Sequence, residues 1–501
     1  MPWTNKNSAL LFLAVASLSS FLFFFKLGDR SLRNPDEGRY AEIAKEMVLR
    51  HDWIEPKLYG IDYLKKPVLF YWLLALSFKV FGFNEFAARF VPALFGVLGV
   101  LMTFCFAKRI FDTKTGFYAA LILTTNFWYL QVGRYLLIDM VFSFLTVASL
   151  YAFYLARTED RHRRIYNLLF YAAVSLAFLA KGVAGIAIPG VAVILFMAVR
   201  RQFFKILSEM DLAAGALVFS AIVLPWFIQI SLKKPEFIKV FFFHEHWTRF
   251  ISSEFEHQEP WYYYFAATPI LLVPWVLFPA PLVRGFSVLK EKNRGGAPLF
   301  LWMSGLGLIV FFSLSRAKLP TYILPSVPLF SVLFGYTWAH AEDLFSKKWA
   351  AKAERLFYAM ILAMVVVSFP VAFLIDKFNK NYTTKPFAET LRPRLKADDP
   401  VFIYDHPGPF YDFRFYLDHP VRLIGLEGEF RYLDEDLNAR LAKDEKESWI
   451  TREEFYEMLK QGKKLYCLIR KSDFSEMDPE IRKRTLVLNQ DERKILFQTK
   501  P

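Results

Sequence analysis

Cysteine is almost missing from this chain of 501 residues. There are two, Cys105 inside a hydrophobic run and Cys467 far along the tail. That count excludes a disulfide framework and a thiolate metal site. Also missing are a P-loop, a G-x-G-x-x-G fingerprint, an H-E-x-x-H motif, internal repeats and low-complexity tracts. Nucleotide cradling by a glycine loop and the common zinc-protease chemistry go with them. No small-residue cleavage site follows the apolar run from Ala9 to Phe25. It reads as a retained first helix rather than a signal peptide.

Hydrophobic residues are in excess, 55% of the chain with 18% aromatic and 55 phenylalanines. They come in blocks of the roughly 17–25 residues that cross a hydrocarbon core. Eleven spans are expected, at 9–26, 88–107, 117–133, 139–156, 166–180, 183–199, 211–232, 262–283, 298–313, 320–341 and 356–375. The net charge of +14 does not call for nucleic acid, because the cations cluster in alternate loops. Lys108, Arg109 and Lys114 form one cluster, and Arg157, Arg161, Arg163 and Arg164 the next. Arg200, Arg201 and Lys205 follow, then Arg284, Lys290, Lys292 and Arg294, then Lys347, Lys348, Lys352 and Arg355. All five then face the cytoplasm. A crossing by the short apolar segment 67–81 would move them outside, so that segment is expected to be re-entrant or interfacial. The loops 27–87 and 233–260, the connection 315–320 and the tail fall outside. The domain reading is a membrane domain at 1–376 and a small extracytoplasmic α/β domain at 377–501. Short strand-like runs at 401–404, 465–469 and 485–488 alternate there with helical patterns.

The outer loops hold the chemistry-bearing residues. Asn34-Pro35-Asp36-Glu37-Gly38-Arg39-Tyr40 opens an amphipathic helix. Tyr40, Ile43, Ala44, Met47 and Val48 form its apolar face, and Arg39, Glu42, Lys45, Glu46 and Arg50 its polar one. Such a helix is expected to lie flat on the membrane. Asn34 suits the N-cap, Pro35 the first helical position and Glu37 a capping role. Asp36 is then the first choice of carboxylate for a catalytic cavity, and Glu37 the second. Lys65 and Lys66 abut an apolar segment, either snorkelling to headgroups or gripping a lipid-linked phosphate. Asp139 sits among hydrophobic residues at the outer end of a span, where a carboxylate normally faces a cavity or a partner. Arg134 is the candidate partner. Lys181 precedes a tight turn at Gly182, as a cap or as a cation aimed into the outer cavity. Arg316 and Lys318 stand against the positive-inside bias, which points to an anionic ligand. His244, Glu245 and His246 are candidate metal ligands, with ordinary interfacial residues as the alternative.

Together Arg39, Lys65, Lys66, Lys181, Arg249, Arg316 and Lys318 make an outer basic set with Asp36 and Asp139 among them. A basic pocket at membrane level suits a phosphate whose tail stays in lipid. A carboxylate beside it can serve as general base. With no ATP on that face, the energy has to arrive with the substrate, and a polyprenyl-phosphate sugar brings both leaving group and anchor.

The first-loop motif, the Lys-Pro-x-x-x-Tyr-Trp block from Lys66 to Trp72 and Glu85-Phe86-Ala87-Ala88-Arg89 occur in order. Glu245-His246 with Arg249-Phe250, and Lys318-Leu319-Pro320-Thr321-Tyr322, follow them. This ordered set, over about residues 30–340, resembles the aminoarabinose transferase and protein O-mannosyltransferase superfamily. The resemblance implies an all-α polytopic membrane protein of GT-C type, with interfacial helices in the first outer loop and a small C-terminal α/β domain. It implies a glycosyltransferase with a polyprenyl-phosphate sugar donor and inverting transfer. Metal use varies, so a divalent ion is an open alternative to no cofactor. The family's essential acids carry over to Asp36 and Asp139. Its carrier-phosphate contacts carry over to Arg39, Tyr40, Lys66 and Arg249. Many aminoarabinose transferases have a metal-binding Glu before the block's Lys; here the position is Lys65. The expected partners are the donor, membrane lipids, and a lipid A-like lipid, glycan or protein acceptor, with no nucleic acid. The expected place is the cytoplasmic (inner) membrane. A transporter or flippase of lipid-linked sugars is the main alternative. Transporters, however, keep ionisable residues at mid-membrane depth, and here they gather at one face. A non-catalytic scaffold is the third reading.

Overall fold

The computed structural model describes residues 5–242, 258–277, 296–344, 347–404, 407–425 and 447–500. The chain starts with α1 (Asn5–Phe24), α2 (Asp36–Arg50), α3 (Leu69–Phe81) and α4 (Glu85–Ile110). Next come α5 (Thr113–Thr125), α6 (Phe127–Gly133), α7 (Ile138–Thr158) and α8 (Arg163–Lys181). Then follow α9 (Ala184–Arg200), α10 (Phe203–Ser208) and α11 (Leu212–Lys233). Helices Tyr263–Leu271, Ala297–Leu314, Ser326–Ala339 and Lys347–Asn379 complete the helical part. Among the described residues six helices are long and apolar enough to cross a bilayer: α1, α4, α7, α11, Ala297–Leu314 and the Ala350–Pro370 stretch.

Two expected spans differ from what folds. The 117–133 run is broken at Asn126, whose side chain accepts from the Tyr129 N–H at 2.8 Å and donates to the Leu271 carbonyl at 2.9 Å. A buried amide needs such partners, and satisfying them ends α5 and starts α6. The 320–341 run is a turn of 3₁₀ helix at Pro320–Ile323 followed by Ser326–Ala339, as its prolines require. The end of the 262–283 run lies outside the described residues.

Among the described residues the loops with basic clusters come to one end of the bundle; the cluster from Arg284 to Arg294 lies outside the described residues. Arg157 lies 3.5 Å from Glu209, Arg109 pairs with Glu159, and His340 lies 3.1 Å from Asp112. At the other end the first outer loop folds back. A β1–β2 hairpin (Lys57–Leu58 and Ile61–Asp62) turns through Tyr59 and Gly60, with φ of 58° and 80°. Segment 67–81 forms α3, 13 residues long, too short to cross and packed between α2 and α4.

The tail is a six-stranded mixed sheet ordered β5-β4-β3-β6-β8-β7. Its strands are β3 (Val401–Tyr404), β4 (Arg422–Ile424), β5 (Trp449–Ile450), β6 (Tyr466–Arg470), β7 (Thr485–Gln490) and β8 (Lys494–Thr499). β3 to β6 are parallel, and β8 pairs antiparallel with β6 and β7. Alternation along β3 sends Val401 and Ile403 into the core shared with the helices, and Phe402 and Tyr404 into a second core with Phe455. Phe455 is on helix Arg452–Lys460, which starts in a full Thr451/Glu454 capping box.

The polar face of α2 corrects the expectation of a helix lying on the membrane. Glu42, Lys45 and Glu46 are all buried, because the tail docks on them. Lys45 donates to the Phe415 carbonyl and Asp418, each at 3.0 Å. Arg414 reaches Glu46 at 2.8 Å and Glu42 at 3.4 Å. The amphipathic helix is real, but its polar side meets protein.

Candidate active site

The start of α2 is fixed from three sides. Arg89 is fully buried and takes both Glu37 oxygens in a fork, at 2.8 and 2.7 Å. Its remaining donors hold the Arg30 carbonyl at 2.7 Å and that of Ser31 at 2.9 Å. Glu37 also accepts the Arg33 and Leu136 N–H groups, each at 2.9 Å. Burial pushes the Glu37 carboxyl up, but the Arg89 and Arg30 charges and these hydrogen bonds outweigh it and hold it at about 2. Glu37 is thus a structural pin between α2, α4 and the turn before α7. Asn34 is not the cap expected for α2: Pro35 takes that position without a side-chain bond. The Asn34 amide instead donates to the Pro409 carbonyl at 2.9 Å and accepts the Asp412 N–H at 3.1 Å. Gly38 permits that docking, since a Cβ there would sit 2.6 Å from the Asp412 nitrogen.

Leu136 is three residues before Asp139, so the Glu37 pin brings the first turns of α2 and α7 together. Asp36, beside the pin, has a half-exposed side chain paired with Arg39 at 2.5 Å. Tyr40 is buried under Arg39, whose guanidinium lies 5.2 Å from its ring centre. Burial pushes the Tyr40 phenol up, the Arg39 charge opposes it, and both Asp36 and Asp139 lie close enough to add to the rise. The two candidate acids therefore share one neighbourhood.

Asp139 pairs with Lys181 at 2.5 Å, not with Arg134. Arg134 is spent on the carbonyls of Leu22 at 2.5 Å and Phe25 at 2.7 Å, closing the end of α1. Lys181 also stands 4.5 Å from the ring centre of Tyr322. That contact brings in the Lys318–Tyr322 motif, whose turn is held by Tyr264 donating to the Leu319 carbonyl at 2.9 Å. Lys318 itself is buried and donates to the backbone carbonyls of Glu259, at 2.8 Å, and Ser315. Arg316 is exposed and Lys66 half-buried. Ring contacts from Tyr40 to Tyr71 at 6.1 Å and from Tyr71 to Tyr63 at 6.5 Å tie the Lys65-Lys66 segment to the start of α2.

The end of α11 joins the same face. Asp62, buried, pairs with Lys57 at 3.0 Å and with Lys234, and Glu55 pairs with Lys233 at 2.8 Å. His244, Glu245, His246 and Arg249 lie outside the described residues. Among the described residues no three His, Cys, Asp or Glu side chains converge as a metal set.

The chemistry this allows is specific. Two carboxylates are each paired with a cation; Arg39 stands over the Tyr40 ring, and Lys181 over those of Phe142 and Tyr322. An entering phosphate would compete for Arg39 and Lys181, and so free a carboxylate to take a proton. The Lys181 pairing and the Tyr322 contact were not visible in the sequence, because they join segments 42 and 141 residues apart. The only local hint was a lone lysine before a glycine.

A protein family described as dolichyl-phosphate-mannose-protein mannosyltransferase matches residues 65–228. Undecaprenyl phosphate-alpha-4-amino-4-deoxy-L-arabinose arabinosyl transferase from Yersinia enterocolitica is 32% identical over 338 residues, covering 66% of this chain and 59% of that protein. The enzyme of the same name from Aeromonas hydrophila is 33% identical over 332 residues, 65% and 59% of the two chains. The chain thus matches about three-fifths of the length of these curated relatives. In fold, it is similar to ArnT from Cupriavidus metallidurans bound to undecaprenyl phosphate, with a TM-score of 0.82, 23% identity and coverage of 99% of this chain and 98% of that one. The archaeal oligosaccharyltransferase AglB from Archaeoglobus fulgidus, solved with an inhibitory peptide and a dolichol-phosphate, aligns with a TM-score of 0.59 and 13% identity over 94% and 70% of the chains. The resemblance read from the motifs is borne out: the chain is similar to the aminoarabinose transferases and shares their multi-pass membrane fold.

Proposed function

We propose that this chain is a glycosyltransferase that moves a monosaccharide from a polyprenyl-phosphate carrier to an acceptor on the outer face of the cytoplasmic membrane. The observation that carries this reading is the convergence of Asp36–Arg39 and Asp139–Lys181 around Tyr40 and Tyr322. The relatives named above use or bind polyprenyl phosphates, and that supports the same donor class here. The gathering of basic clusters in alternate loops, read by the positive-inside bias, supports a site at the opposite end that opens to the outer leaflet.

In the proposed reaction the acceptor oxygen attacks the anomeric carbon. The bond from that carbon to the phosphate oxygen breaks, and polyprenyl phosphate leaves with the electron pair. Arg39 and Lys181, with Lys66 and Arg249, stabilise the charge that develops on the departing phosphate. Asp36 takes the proton of an acceptor hydroxyl. Asp139 positions Lys181, and Glu37 positions Asp36. A lipid A-type phosphate acceptor is already ionised near neutral pH, and Asp36 would then orient it rather than deprotonate it. His244, Glu245 and His246 remain the candidates for a divalent ion.

The test is reconstituted full-length protein with a radiolabelled polyprenyl-phosphate monosaccharide and lipid acceptors. A new glycosidic bond with release of polyprenyl phosphate is expected. Movement of the labelled lipid between leaflets with no new bond would make the chain a transporter instead.

A further inference from the structure

A groove of about 730 Å³ lies between α4, α7 and α8, away from the carboxylates of the proposed active site. Its walls are mainly apolar, with Phe144 at one end and Tyr151 along the floor, and Lys108 and Arg109 line its other end. It is open to the bilayer side, since Leu169 and Cys105 on its rim are exposed. Along α7 the lining runs from Phe144 to Leu155, three helical turns or about 17 Å. That is close to half of the ~30 Å hydrocarbon core, so the groove spans one leaflet.

The cationic end sets the occupant. Lys108 and Arg109, in the last turn of α4, belong to the first positive-inside cluster, so under the proposed orientation the groove faces the cytoplasmic leaflet. The Lys108 ammonium gives one donor to the Ser8 hydroxyl at 2.6 Å, and an ammonium has three. The Arg109 guanidinium is bidentate with Glu159, which offsets part of its charge, but these two bonds use two of its five N–H donors. Basic pockets between helices on the cytoplasmic side recognise acidic lipid headgroups. The volume suits apolar chains. We propose that this groove is a binding site for an acidic glycerophospholipid of the cytoplasmic leaflet, with its phosphate at Lys108 and Arg109 and an acyl chain along α7. The lipid is separate from the sugar donor, which enters at the opposite end of the same helices.

Cys105 supplies the readout, because it sits in the groove while Cys467 is buried. Delipidated full-length protein in detergent is alkylated with N-ethylmaleimide, with dioleoyl-phosphatidylglycerol, dioleoyl-phosphatidylcholine or polyprenyl phosphate added. Phosphatidylglycerol is expected to slow Cys105 alkylation at least about tenfold more than phosphatidylcholine, a preference worth ~1.4 kcal/mol. Lys108→Gln with Arg109→Gln should abolish the preference, and Ala172→Leu, which narrows the groove, should weaken protection by any lipid. Native mass spectrometry should show one retained acidic lipid, lost in the double variant. Equal protection by both phospholipids, or no retained lipid, overturns the proposal. Stronger protection by polyprenyl phosphate also overturns it, and would assign the groove to the donor's tail. The measurement uses no transfer assay, so its failure leaves the proposed function standing.

Discussion

At the residue scale, three neighbours in the chain take three roles. Asp36 is half-exposed and paired with Arg39. Glu37 is buried with both oxygens occupied. Gly38 lets the tail approach. Asp36→Asn is expected to fold as the parent does and to lose roughly 10²–10⁴-fold in transfer to a hydroxyl acceptor; a full-rate variant would remove Asp36 from the base role. Glu37→Gln leaves Arg89 buried beside a neutral partner. It should lower stability by about 3–5 kcal/mol, visible as a large fall in thermal midpoint. An unchanged midpoint would contradict the pin. That Glu37 is engaged was legible, because its position suits a capping acid. The reason was only partly right: Glu37 does reach back to the Arg33 N–H, but its main partner is Arg89, 52 residues away. No local pattern announces that pairing, nor that Arg134 serves the end of α1 while Lys181 serves Asp139.

At the scale of the element, hydropathy and charge placed most helices within a few residues. Blocks of apolar residues ended by basic loops can do little else in a bilayer. The failures have local causes. Asn126 splits one run, and prolines shorten another. Helix α2 shows the limit of periodicity, which identified its two faces but not what would cover the polar one. Its cover is the tail, and the contact carries a titratable group. Burial pushes Glu42 up to about 8, with Glu46 adding to the rise and Arg414 and Lys45 opposing it. The folded state therefore holds a proton that the unfolded chain releases near pH 4.5. Stability of the docked helix falls as pH rises from there and levels off above about 8. Thermal midpoints across pH 5–9 should show this decline in the parent, and Glu42→Gln should flatten it. Parallel curves for the two proteins would contradict the assignment.

At the scale of the whole molecule, two separately built parts meet at one surface. The helices bring the ends of α2, α7, α8 and the turn before Ser326–Ala339 to one face, and the tail locks α2 from behind through Asn34, Lys45 and Arg414. Three of the tail's six strands, β3, β6 and β7, were legible as short strand-like runs, but β4, β5, β8 and the docking of the tail on the first outer loop were not. That contact depends on Asp412 and Arg414, which no motif marks. The central claim is that Arg39 and Lys181, brought in by different helices, receive one carrier phosphate. The most direct measurement is a cryo-electron microscopy structure of the purified protein with polyprenyl phosphate. The phosphate is expected within hydrogen-bond reach, about 2.7–2.9 Å, of both Arg39 and Lys181. Asp36 should be released from its ion pair. A phosphate seated away from both cations, with the Asp36–Arg39 and Asp139–Lys181 pairs intact, would contradict the account.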